Sequence, residues 1–195
     1  PRAAEFLGLP LDGRSTTIGG KDGPSAGAII DRTNSVDEFT KQRWASFGPL
    51  NKIEGFVVHH TGGRGTVEGV IETFKQRNYP VHYVIDRDGR VNQILSDTQQ
   101  SQHIKPRRRN NLSNANSIGV EIIAKDDSDV TPAQVAAARK LIAEKGKQYG
   151  FGPDMVFGHG EVNGHKQSTE GMTVVNAIRQ QGFDNVTAAS SGPSD

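Results

Sequence analysis

No cysteine occurs among the 195 residues. Disulfides and thiolate metal ligands are thereby excluded, and any metal site must be built from histidine and carboxylate. The absence also suits work outside a reducing cytosol. Charge of one sign is lacking too: Lys+Arg 23 against Asp+Glu 22 leaves a formal net charge of +1. That balance gives no electrostatic case for nucleic acid or an anionic membrane surface as partner. No apolar run approaches the ~18 residues of a membrane span, so membrane insertion is not expected, and no secretory signal opens the chain. A methionine at position 1 is missing as well. We read the chain, from Pro1, as a processed or trimmed piece of something larger, with other domains or subunits as partners.

Glycine is plentiful, at 23 of 195 residues or about 12%, against the ordinary ~7%. Long articulated loops around a modest core follow, a design that often carries a functional site. The length suits one domain with an extension. Lys105-Pro106-Arg107-Arg108-Arg109 is the basic block, read first as a solvated loop and second as a contact for a polyanionic substrate.

Residues 1–50 show no sustained periodicity, and Gly13, Gly19, Gly20, Gly23 and Gly27 break any long helix there. They are expected to form an irregular N-terminal extension. One helix is predicted inside it, over Val36–Ala45, with Ser35 as N-cap and Trp44 anchored on the core. From residue 53 the pattern sharpens. The run at 55–60 predicts a short buried strand, and Thr66 caps a helix whose Val67, Val70, Ile71 and Phe74 share one face. Val81–Ile85, a turn at Asp86–Gly89, and Arg90–Leu95 predict a hairpin. After a polar loop over 96–116 comes a second buried strand, Ile118–Ala124. Thr131, Pro132 and Gln134 open a helix as cap, first residue and capping box, and Gly150 stops it. A short strand over Met155–Gly158 and a last helix over 172–181 complete a 51–183 domain. The Ala-, Ser- and Gly-rich tail over 184–195 reads as flexible. Strands alternate with helices, but a hairpin interrupts them. The expected class is therefore α/β: a mixed central β-sheet flanked by helices in a single domain.

The chemistry gathers in two histidine clusters about a hundred residues apart, His59-His60 and His159 to His165. Imidazoles at the mouth of a buried strand are costly to desolvate, so something should use one of them. Distant clusters of nitrogen and carboxylate ligands are what a metal site looks like along a chain, and a zinc-dependent hydrolase is the leading reading. Alternation along the strand puts His59 with Val57 and His60 with Val58, so that one of the pair faces a given site. A core histidine bonded to a carbonyl is the bland reading for the other. Glu121 interrupts an apolar strand, either as a strand end in water or as a general base tuned by burial. His159, after a strand and before a Gly-broken loop, is well placed as a ligand, and Lys166 is either a surface lysine or a positive charge for an oxyanion.

Four segments in order, FVVHHTGG at 56–63, VHYVIDRDGRVNQ at 81–93, SIGVEI at 117–122 and GHGEVNGHKQSTEG at 158–171, resemble the zinc-dependent N-acetylmuramoyl-L-alanine amidases. That family is shared by phage lysins, cell-wall recycling amidases and peptidoglycan recognition proteins. The resemblance covers about residues 50–183. It implies His59 and His159 as zinc ligands, Glu121 as the catalytic glutamate of the recycling-type members, and Lys166 as the lysine that stabilises the tetrahedral intermediate. The implied substrate and partner is peptidoglycan, cut between the lactyl group of muramic acid and L-alanine. Two departures matter. The third ligand, usually Cys or Asp soon after the lysine, meets Gln167-Ser168-Thr169-Glu170-Gly171 here. Strict spacing lands on Ser168, a poor zinc ligand; Glu170 is the choice and His165 the runner-up. The tyrosine that many members carry before the hairpin histidine is Val81, so the proton-transfer role falls on Glu121. A non-catalytic peptidoglycan-binding module is the alternative function. Either would act outside the cytoplasm on the cell wall, as an endolysin or as part of a bacteriophage virion.

Overall fold

The computed structural model describes residues 27–105, 111–163 and 165–184. Arg107, Arg108 and Arg109 of the basic block, the first 26 residues and the tail beyond Asp184 lie outside them.

Among the described residues one mixed sheet of six strands runs in the order β1-β4-β3-β5-β2-β6. Its strands are β1 (Ile30–Asp31), β2 (Gly55–His60), β3 (Tyr83–Ile85), β4 (Val91–Gln93), β5 (Ser117–Ile122) and β6 (Val156–Gly158). The β3–β4 hairpin is antiparallel, and β3, β5, β2 and β6 run parallel to one another. The central strands are apolar on both faces, as strands covered on both sides must be. Phe56, Val58, Ile118, Val120 and Ile122 point to one side and pack with Leu141, Ile142, Val174 and Ile178. Those four come from α3 (Pro132–Tyr149) and α5 (Met172–Gln181). On the other side Val84 and Ile123 meet Val70, Ile71 and Phe74 of α2 (Val67–Arg77) and Trp44 of α1 (Glu38–Ala45). A helix-flanked mixed sheet is the expected class, and the helical turn α4 (His159–Val162) follows β6 directly.

The helix boundaries follow their caps. Thr66 Oγ1 accepts from Gly69 N at 3.1 Å. Thr131 and Gln134 form the reciprocal capping box, and Gly150 ends α3 in a left-handed conformation at φ 80°. One expectation is corrected. The first helix starts at Glu38, and its cap is Asp37, whose carboxylate accepts from Thr40 N at 2.9 Å. Ser35 lies two residues earlier, with its N–H donating to the Arg32 carbonyl. A carboxylate at a helix N-terminus satisfies an orphan N–H and also meets the dipole, which a serine hydroxyl does less well.

Candidate metal centre

Parallel strands end together, and the carboxyl ends of β2, β5 and β6 form one corner of the molecule. In open α/β sheets ligands bind outside such ends. His59 stands opposite Glu121 in the β2–β5 register, and Val58 stands opposite Gly158, the residue before His159. The register thus delivers three titratable side chains to one place. Glu170 arrives from the far end of the turn after α4. Its carbonyl accepts from Gly160 N at 3.2 Å, and Gly171 follows in a left-handed conformation at φ 89°. A side chain at Gly171 would also run into the Val58 carbonyl, so this turn closes on β2 only through glycine.

His59, His159 and Glu170 are buried, and each offers a ligand atom within 4.8 Å of the other two. His159 Nδ1 lies 2.7 Å from Glu170 Oε1, and the His59 and His159 ring centroids are 4.1 Å apart. Glu121 is partly buried beside them. Lys166, 45% exposed at its side chain, brings Nζ to 3.6 Å from Glu170 Oε2. His165 and Ser168 are exposed and stand outside the cluster. His60 takes the opposite face of β2, its Nε2 3.6 Å from Asp127 Oδ2.

Burial sets the electrostatics. It holds the His59 imidazole well below its ordinary pKa, and the His159 and His103 rings and Lys166 push the same way. Burial also lifts the Glu121 carboxyl to about 8, with Glu170 adding to the lift and Lys166 opposing it. For Glu170 burial pushes upward, but the hydrogen bond and charge of His159, then Lys166, outweigh it and leave the carboxylate below its usual range. The corner therefore keeps His59 neutral, Glu170 charged and Glu121 close to its protonation point at neutral pH. Two imidazoles and one carboxylate match the borderline-soft donor set of zinc. Three protein donors are also the number that catalytic zinc sites use.

Two residues of the corner escaped the reading of the sequence. His103, in the loop over 96–116, places Nδ1 3.0 Å from His59 Nε2. Asn163, four residues beyond His159 on the same helical turn, sets its side-chain amide 3.3 Å from His159 Nε2. Gly119 could have signalled the first: a glycine inside an apolar strand often marks a close approach, and a Cβ there would stand 2.6 Å from His103 Nδ1. His82 is buried as well but serves the scaffold. Its Nε2–H donates to the Gln99 carbonyl at 2.9 Å, Nδ1 accepts from Gly119 N at 3.3 Å, and burial pulls its pKa down to about 4.

The site opens into a groove of about 560 Å³. Val70, Phe74 and Val81 give it an apolar wall, and Arg64, Arg77 and Lys105 stand along it. Val81 is buried and brings no hydroxyl to the groove.

Comparison with known proteins now decides the family. The model of the N-acetylmuramoyl-L-alanine amidase family matches residues 49–171, well over half of the chain. The chain belongs to the N-acetylmuramoyl-L-alanine amidase family. No curated protein sequence matches this amidase-family chain. Solved structures share its fold at low identity. The N-acetylmuramoyl-L-alanine amidase LysC from Clostridium intestinale is 18% identical at a TM-score of 0.58, over 78% of this chain and 97% of that one. Staphylococcus aureus hydrolase AmiA is 24% identical at 0.52, over 69% of this chain and 66% of its own. Escherichia coli AmiD, solved with anhydro-N-acetylmuramic acid-L-Ala-D-gamma-Glu-L-Lys, is 19% identical at 0.51, over 59% and 51%.

Proposed function

We propose that this chain is a zinc-dependent N-acetylmuramoyl-L-alanine amidase that hydrolyses the bond between the lactyl group of muramic acid and L-alanine of the stem peptide. The observation that carries the reading is the buried trio His59, His159 and Glu170 beside Glu121, all lining one groove. His59, His159 and Glu170 would hold the ion. When bound, zinc would polarise the scissile carbonyl and lower the pKa of an attacking water towards ~7.

The chain's own residues supply the rest. The Glu121 carboxylate takes a proton from the water as its oxygen attacks the amide carbon. The same carboxyl then returns that proton to the departing amine of L-alanine. Lys166, at the edge of the site, places an ammonium opposite the oxyanion that develops on the carbonyl oxygen. The wall of Val70, Phe74 and Val81 offers the substrate an apolar contact surface, and the cations along the groove suit a substrate that carries carboxylates. AmiD's complex with a muropeptide supports peptidoglycan as the partner. Action on the wall places the protein outside the cytoplasm, either as a free lysin or as part of a phage particle. Among the described residues no helix is long and apolar enough to cross a membrane.

Digestion of purified peptidoglycan followed by mass analysis of the products tests the reading. Stem peptides with free L-alanine amino ends are expected. New reducing sugar ends, or an intact polymer that merely retains the protein, would instead indicate a glycosidase or a binding module.

A further inference from the structure

His103 makes a contact that the hydrolysis above does not use. Its ring is buried, with Nδ1 3.0 Å from His59 Nε2 and Nε2 3.2 Å from Ser117 Oγ. Ser117 Oγ in turn lies 2.6 Å from the Ser113 carbonyl oxygen.

The protons along this line can be placed by elimination. A carbonyl only accepts, so the single Ser117 hydroxyl proton goes to Ser113. Ser117 Oγ must then accept from His103, which puts the His103 proton on Nε2. An imidazole that carries its proton on Nε2 has a bare Nδ1, which accepts from the ring nitrogen 3.0 Å away. His59 must therefore donate from Nε2, and its own Nδ1 is the nitrogen left with a free lone pair. Strand β5 is shaped around this arrangement. Ser117 and Gly119 stand two residues apart on one face: one receives the His103 proton, and the other leaves room for its ring.

The geometry points to His103 as the positioning residue of the metal centre, the terminus of a Ser113–Ser117–His103 relay that fixes His59 in its Nε2–H tautomer and aims Nδ1 at the ion. Outer partners of this kind are generally worth 10- to 100-fold in metal affinity. The affinity arm of the test rests on the zinc reading above, whereas the tautomer arm is read on metal-free protein and stands without it.

Long-range 1H–15N NMR of the metal-free wild-type chain should show His59 protonated at Nε2 and His103 protonated at Nε2. A His59 proton on Nδ1 would overturn the inference. In zinc competition against a chromophoric chelator, His103→Phe should keep the fold and lose tenfold or more in affinity. His103→Asn, whose amide oxygen can stand in for Nδ1, should recover most of that loss. A Phe variant that loses less than tenfold, or an Asn variant as weak as the Phe one, would mean that the ring merely fills space. If the Phe variant does not fold, the wild-type tautomer decides. A wild-type chain that binds no zinc contradicts the reading of the preceding subsection and leaves the tautomer measurement intact.

Discussion

Two buried polar clusters sit on this sheet and teach opposite lessons. In the first, under α3, Asp97 accepts from Lys145 Nζ at 2.6 Å, from Tyr149 Oη at 2.7 Å and from the Tyr83 hydroxyl. Every strong donor there has an acceptor, and Lys145 also lies 5.4 Å from the Tyr83 ring centroid. In the second, at the ends of β2, β5 and β6, the groups gathered are donors for a cation. His59, His159 and Glu170 converge, while burial, and after it the charge of Glu170, raises Glu121 to about 8. A saturated cluster stabilises the fold; one built of convergent ligand atoms is shaped for an ion and a reaction.

The contrast can be broken at either end. The largest effect is expected from Glu121→Ala, which should lower turnover by ~10²–10⁴-fold while zinc stays near one per chain. Its melting temperature should hold or rise, because a carboxyl without a cationic partner leaves the interior. Turnover close to wild type would end the assignment of Glu121 as base. Chelation comes next. Stripping a metal held at a thousandfold excess over its dissociation constant should remove about 4 kcal/mol of stability, seen as a lower melting temperature that added zinc restores. In the saturated cluster, Asp97→Ala leaves the Lys145 ammonium without its partner and should cost about 3 kcal/mol, with specific activity of the folded fraction unchanged.

That cluster also gives a signed pH response. Burial pushes the Asp97 carboxyl upward, but the bonds from Lys145, Tyr83 and Tyr149 pull it further down, so it sits below its usual value in the folded chain. Its contribution is therefore fully present above the unfolded value of ~3.9 and is lost as the pH falls through the folded value. Acid unfolding of Asp97→Asn should accordingly be less steep over that range than that of wild type. The smallest effect is expected from Thr131→Ala, which removes the cap of α3 and should cost about 1 kcal/mol with zinc affinity unchanged.

Local signals made most of the fold legible in the sequence. Thr66, Thr131 with Gln134, and Gly150 mark helix ends through hydrogen bonds made within a few residues, and the structure shows those bonds. Asp37 shows the limit: Ser35 was the expected cap, and the carboxylate two residues on, the better electrostatic match, takes its place. In the candidate site, residue types and context singled out His159 and Glu121, the family resemblance chose His59 over His60 and brought in Glu170, and the fold gathers the four at one corner. Lys166 stands at its edge. His103 was not named, because nothing in a polar, aperiodic loop says which strand it returns to. Its partner is 44 residues away, and only the sheet order puts the two side by side. Glycine 119 was the available clue, yet an isolated strand glycine points to a close approach without naming the residue that makes it.

Metal stoichiometry after exhaustive dialysis decides whether His59, His159 and Glu170 hold an ion. Wild-type protein should retain close to one zinc per chain, and Glu170→Ala, folded but one donor short, should retain close to none. A wild-type chain that emerges metal-free, or a Glu170→Ala variant that keeps a full equivalent, would contradict the account.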